Sequence, residues 1–278
     1  MEKSSPKKYR QGLPTIGWIS LLLLLSWLVL PLIPLGIWSV SRSWYFPDIL
    51  PAEFSLHAWK YVFSPSSEIL AASWRTAAIA IGVTLISVLI GVPAGRALGL
   101  YQFRGKPIVE LLILAPTIVP GIAVILGIHV VFLKLGLANN IAGVIIVHLI
   151  PSLPYMILVM ASVFSNHNPE AEAQARTLGA TAPKVFWYVT LPSILPGLLI
   201  GSFFVFLVSW SQYILTLVIG GGRVVTLPLL LFNFATSGRN DISGAIGILY
   251  ILPGVFLILI GSRYITGKNN SLGTPGQI

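Results

Sequence analysis

The sequence predicts an all-α integral membrane protein with six transmembrane helices, both termini in the cytoplasm, and one polar loop between the fourth and fifth spans. Three observations carry this. Of 278 residues, 55% are hydrophobic and only 9% are charged, whereas a soluble domain carries about 25% charged residues. Six stretches reach the roughly 20 mostly apolar residues that a spanning helix needs: Thr15–Ser41, Ala71–Leu98, Pro107–Leu133, Asn140–Phe164, Leu191–Ile219 and Ile242–Tyr264. No stretch alternates with the period of two that a membrane barrel requires, and only helices or closed barrels satisfy their backbone groups in lipid.

The N-terminus places Lys3, Lys7, Lys8 and Arg10 before the first apolar run. That run is too long for the core of a signal peptide and lacks a small-residue cleavage site, so it reads as an uncleaved span. Residues 1–14 form a cytoplasmic tail, and 15–69 the first span with its outer loop. That loop carries Trp44, Tyr45, Phe46, Trp59 and Tyr61, residues that suit a membrane–water interface. Residues 70–266 form the transmembrane core, and 267–278 a disordered tail. Prolines at 31, 34, 93, 116, 120, 151, 154, 196 and 253 fall inside the apolar runs and mark expected kinks. Gly220–Gly222 closes the fifth run, and the apolar segment after it, Thr226–Phe232, is short enough to be an interfacial or re-entrant helix rather than a seventh span.

Orientation follows from Lys and Arg. With the N-terminus inside, the inner segments hold Lys3, Lys7, Lys8, Arg10, Arg96, Arg104, Lys106, Arg176, Lys184, Arg263 and Lys268, which is 11 of 17. The outer segments hold Arg42, Lys60, Arg75, Lys134, Arg223 and Arg239. The bias puts the loop of residues 166–190 in the cytoplasm. It also explains the net charge of +9 without nucleic acid, for which no basic soluble patch exists.

That loop is the polar exception in the chain. Asn166 and Asn168 suit a helix cap, Pro169 suits a first helical position, and Glu170 and Glu172 favour the positive end of the helix dipole. Ala171, Ala173, Ala175, Ala180 and Ala182 let a helix approach a partner closely. Gly179 permits a turn that a Cβ would strain. A second short segment, with Phe186, Trp187 and Tyr188 as anchors, leads to Leu191-Pro192, where the next helix is expected to begin.

In this loop Arg176-Thr177-Leu178-Gly179-Ala180 leads on, with nine residues between Gly179 and Val189, to Val189-Thr190-Leu191-Pro192. The spacing resembles the signature loop of inner-membrane permease subunits of ATP-binding-cassette importers, of the MetI-like type I fold and nearest the spermidine/putrescine-type group. Ala173, Gln174 and Ala175 stand at the family's Glu-Ala-Ala positions; only the third matches, and Glu172 lies one residue before. The similarity extends from about Ser73 to Tyr264 and includes Arg104-Gly105-Lys106 and Pro116–Pro120. It implies that Glu170, Glu172, Ala175, Arg176, Gly179, Ala180, Leu191 and Pro192 form a coupling element that docks a cytoplasmic ABC ATPase subunit. It implies two further protein partners, a second permease subunit, identical or not, and an external or periplasmic solute-binding protein, in a bacterial inner membrane. The polar cluster Ser209-Trp210-Ser211-Gln212-Tyr213 lies inside the expected fifth helix. Polar groups in lipid face protein or a water-filled path, so Trp210, Ser211, Gln212 and Tyr213 are candidates for the pathway. Asn233, Arg239, Asn240 and Asp241 fall near the outer mouth.

No catalytic, cofactor-binding or metal residue is expected. The chain has no Cys, no P-loop for ATP, and four scattered histidines (His57, His129, His148, His167) without metal-ligand spacing; ATP hydrolysis then belongs to a separate subunit. His129 and His148 read as interhelical hydrogen-bond partners. The rival reading, an ion-coupled secondary transporter, predicts intramembrane ionisable pairs or inverted repeats, and neither is evident. A membrane-embedded enzyme would need a constellation of nucleophile, base or metal ligands, and none stands out.

Overall fold

The computed structural model describes residues 15–44, 47–118 and 121–268. The expected N-terminal tail, residues 269–278 of the expected C-terminal tail, and Tyr45, Phe46 and Pro120 lie outside the described residues. Residues 267–268, assigned from sequence to that tail, instead close the last helix.

The framework is helical. Helices α1 (Thr15–Val29) and α2 (Leu32–Ser39) form one apolar run bent by 41°, with Pro31 and its missing N–H at the bend. A short antiparallel pair, β1 (Ser41–Ser43) with β2 (Glu53–Phe54), and helix α3 (His57–Val62) fill the segment that follows. Then come α4 (Ile69–Leu100), α5 (Lys106–Ile118), α6 (Gly121–Lys134), α7 (Ile141–Ser165) and the loop helix α8 (Glu170–Thr177). The rest is α9 (Ala182–Val185), a π-helical turn (Phe186–Thr190), α10 (Leu191–Trp210), α11 (Ile214–Gly220), α12 (Leu227–Thr236) and α13 (Asn240–Lys268). Among the described residues, four helices are long and apolar enough to cross a bilayer: α4, α7, the continuous run from Ala182 to Trp210, and α13. Helices α1 and α2 make a fifth if the bend is counted through.

The third expected span, Pro107–Leu133, is seen as α5 and α6 on either side of residues 119–120, which lie outside the described residues. Two sequence expectations change. The fifth expected span, Leu191–Ile219, is broken at Ser211–Tyr213, so the polar cluster sits at a helix break and not inside a helix. Its upstream boundary also moves. The helix does not start at Pro192 but at Ala182, and passes through the π turn in which the Leu191 N–H donates to the Phe186 carbonyl five residues back. The widened turn comes just ahead of Pro192, where a regular helix would have clashed with the proline ring and lost a donor. The short apolar segment is a ten-residue helix, α12, with Leu227, Pro228 and Leu229 buried.

The core lies where α4, α7 and α10 meet. Ile79 and Val83 of α4, Val147, Met156 and Met160 of α7, and Ile194 and Val205 of α10 are buried together. Close approach is made possible by glycines four residues apart on α4. A Cβ at Gly95 would stand 2.5 Å from Met160 Cβ and 2.9 Å from the Ala161 nitrogen, and one at Gly99 2.6 Å from the Ala161 carbonyl oxygen. Small residues at this spacing let membrane helices pack by direct backbone contact. A second cluster, with Ala58, Val62, Ile69, Trp210, Leu227, Ile242 and Ile246, joins α3, α12 and α13 to the N-terminal half of α4. Helix α1 is exposed from Trp18 to Val29, and α5 buries no residue.

Candidate functional site

The polar loop is built from short-range rules. After α7 ends, the Asn168 side chain accepts from the Glu170 N–H at 2.9 Å and caps α8. At the other end the Gly179 N–H donates to the Arg176 carbonyl (2.9 Å) and the Ala180 N–H to the Ala175 carbonyl (3.0 Å). This is a Schellman closure, which needs a left-handed residue at its hinge, and Gly179 has φ +85° with no atom near the place a Cβ would take. The result is an eight-residue helix with its flank and tip open: Glu170, Arg176 and Gly179 are exposed, Ala175 and Ala180 half-buried. Leu178 at the tip is 88% exposed, and Trp187 and Tyr188 project from the π turn.

One residue of α8 is buried, and it is Glu172. Its Oε2 accepts from Arg96 Nη2 of α4 at 2.6 Å; its Oε1 accepts from Thr190 Oγ1 at 2.8 Å and lies 3.0 Å from His167 Nε2. Burial alone would push this carboxyl up, but the hydrogen bonds from Arg96 and Thr190, the Arg96 charge and the His167 contact outweigh it and hold it down at about 2. Arg96 in turn lies over the Phe164 ring at 5.5 Å, a cation–π arrangement. His167 Nδ1 meets Ser193 Oγ at 3.1 Å, and that hydroxyl donates to the Thr190 carbonyl at 2.7 Å. Beside this network opens a cleft of about 550 Å³ lined by Asn166, His167, Asn168, Ala171, Ser193 and Gly197 among others.

The second site is the break between α10 and α11. His148 of α7 is buried and bridges it, with Nδ1 3.0 Å from Ser209 Oγ and Nε2 3.0 Å from Thr216 Oγ1. Thr216 also donates to the Gln212 carbonyl at 3.0 Å, so a backbone group freed by the break finds a side-chain partner. Trp210 turns away into the second cluster, where its indole N–H donates to the Tyr250 carbonyl and its ring stacks on Phe206 and Tyr250. Tyr213 packs on Phe232 at 4.4 Å. Ser211 is exposed and Gln212 half-buried.

A family profile described as "Binding-protein-dependent transport system inner membrane component" matches residues 87–268, from mid-α4 through both sites to the end of α13. The chain belongs to this family. Among its relatives is the molybdenum transport system permease protein ModB of Mycobacterium tuberculosis, 30% identical over 230 residues, covering 76% of this chain and 85% of that one. The spermidine/putrescine transport system permease protein PotC of Escherichia coli is 21% identical over 221 residues, covering 79% and 83%. The fold is that of a chain in a bacterial ABC transporter involved in import of the acidic polysaccharide alginate, with a TM-score of 0.68, 19% identity, and 90% of this chain and 95% of that one covered. The protein is thus a permease subunit of a binding-protein-dependent importer and a multi-pass membrane protein.

The permease brings the loop residues expected from sequence into one protrusion, with two qualifications. Glu172 points inward, and Leu191 and Pro192 lie within a continuous helix beyond the π turn. Of the candidate pathway residues, Trp210 is buried against α13 and α12, so Ser211, Gln212 and Tyr213 are left at the break. Sequence reasoning missed the partners of both sites. Arg96 was counted only as an inside charge, and His148 was not joined to the Ser209 cluster. Arg239 and Asp241 lie 3.4 Å apart, with His57 3.7 Å from Asp241. Among the described residues no group of His, Asp and Glu is placed to hold a metal ion.

Proposed function

We propose that this permease forms one half of a translocation path in a bacterial inner membrane, spans it six times with both termini inside, and docks a separate ATP-hydrolysing subunit through α8 and the turn at Gly179. The run α5–α6 makes one of the six crossings. A second permease subunit supplies the other half of the path, and an external solute-binding protein delivers the solute to the face that carries Arg239 and Asp241. The observation that carries the reading is the form of the loop. It is a short polar helix, closed at both ends by its own hydrogen bonds, with seven of its eight residues wholly or partly open to solvent. A helix with so little apolar burial is marginal in isolation, and a surface of this kind suits a partner. The family membership supports it, as does a solved alginate transporter in complex with a periplasmic protein, whose chain shares this fold at a TM-score of 0.52.

The test is co-purification. A tagged chain co-expressed with its cognate ATPase is expected to retain that subunit in detergent, and Gly179→Leu to lose it. A native chain that retains no ATPase overturns the reading. Uptake that survives ATP depletion but stops with a proton uncoupler would instead support ion coupling.

A further inference from the structure

The loop helix has an unusual attachment to the rest of the molecule. A short helix at a surface ordinarily holds on by an apolar stripe. Helix α8 buries a single residue, and that residue is a glutamate. Its carboxylate is shared by three segments: α4 through Arg96, the linker before α8 through His167, and the start of the α10 run through Thr190. Arg96 is fixed from its other side by the Phe164 ring of α7. From Arg96, the glycine contacts at 95 and 99 bind α4 to α7 along their inner halves.

We propose that Glu172 and Arg96 are positioning residues that make α8 and α4 one rigid unit, so that movement imposed on the loop by the ATPase is delivered to α4 and, through the glycine contacts, to α7. The α10 run receives the same movement along its own backbone, so the loop drives two spans by two routes, one covalent and one through this carboxylate. The inference rests on the reading of α8 as the docking helix. Serine, histidine and glutamate also line up here in the order of an acyl-transfer triad, but the geometry speaks against a nucleophile. The Ser193 hydroxyl gives its proton to the Thr190 carbonyl, and Glu172 is engaged by Arg96 and Thr190 as well as His167.

The chain lacks cysteine, so a spin-label pair can be placed without background at two exposed positions, Thr177→Cys on α8 and Leu89→Cys on α4. The distance between them is measured in the complex with the ATPase, without nucleotide and with ATP and vanadate. With Glu172 and Arg96 intact, the two states are expected to agree within the ~1–2 Å of a packed helix shift. With Glu172→Gln, the nucleotide-bound distance is expected to move by more than about 2 Å, the scale of a loop rearrangement. Arg96→Lys, which keeps the charge, and the exchange Arg96→Glu with Glu172→Arg are expected to restore part of the native behaviour, a rescue that a merely structural defect would not allow. Should Glu172→Gln fail to assemble, Thr190→Val removes one bond to the same carboxylate and is expected to broaden the distance in the same direction. An assembled complex in which neither variant changes the response to nucleotide overturns the joint while leaving ATPase docking intact. A native chain that binds no ATPase overturns the docking reading itself.

Discussion

At Gly179 the backbone φ of +85° closes α8 with two hydrogen bonds and leaves Leu178 at the tip. A side chain there meets no neighbour, so the cost of substitution is conformational. Gly179→Ala is expected to cost about 1 kcal/mol or more and to loosen the loop, read as faster amide exchange in α8 with little change in the thermal midpoint of the membrane core. Glu172 makes a prediction in pH. Its folded carboxyl is held down at about 2 from an ordinary value of 4.5, so its contribution is fully present above the unfolded value and is lost as pH falls from there toward 2. The difference in thermal midpoint between the native chain and Glu172→Gln is therefore expected to stay constant from neutral pH down to the mid-fours and to shrink below it. At this scale the sequence was partly legible. The spacing from Gly179 to Pro192 and the capping asparagine are local signals. The partners of Glu172 are not, because Arg96 lies 76 residues away and nothing in the order of residues pairs them.

The helices show why spans were easier to find than their breaks. Apolar length marks each segment, but whether a proline or a polar triplet interrupts it depends on what packs alongside. In α10 the prolines at 192 and 196 are absorbed within the helical run, whereas Ser211–Tyr213, which contains neither proline nor glycine, breaks it next to His148. Removing that histidine by His148→Phe leaves Ser209 and Thr216 without their partner. Hydrogen bonds between membrane helices average about 0.6 and reach about 1.7 kcal/mol, so a fall in thermal stability of that order per bond is expected from denaturation in detergent. The glycine ladder on α4 is subject to a sharper test. Gly95→Leu drives a side chain into Met160 and the α7 backbone, and overpacking of this kind costs about 1–3 kcal/mol or more. Gly127→Ala has open space and is expected to be neutral, so the pair separates packing from propensity.

Across the whole molecule, the long helices of the core divide into two buried clusters that meet at α4 and α10. The first holds the α7 contacts and the second the α3, α12 and α13 contacts. Helices α4, α7, α10 and α11 contain no Asp or Glu, and α4 carries Arg75 near its N-terminal end. Pores that pass cations favour rings of carboxylates. Where the second permease subunit is a copy of this chain, the cognate binding protein is accordingly expected to hold an anion or a neutral solute. Titration calorimetry of that protein with molybdate, a neutral sugar and spermidine checks this, and heat from spermidine alone would contradict it. Composition made the class of protein plain from the first, since so little charge leaves few alternatives. How the helices join was not plain, because the joints are made by single polar side chains meeting across long separations in sequence.

The break bridged by His148 has an electrical consequence. From Ser209 to Thr216, and throughout α7 and α10, there is no carboxylate, ammonium or guanidinium. A transmembrane voltage works only on charge displaced through it, at about 2.3 kcal/mol per elementary charge per 100 mV. Rearrangement at this break carries none of those charged groups across the field. The membrane potential has little purchase on it, and the step is expected to proceed alike in polarised and depolarised vesicles.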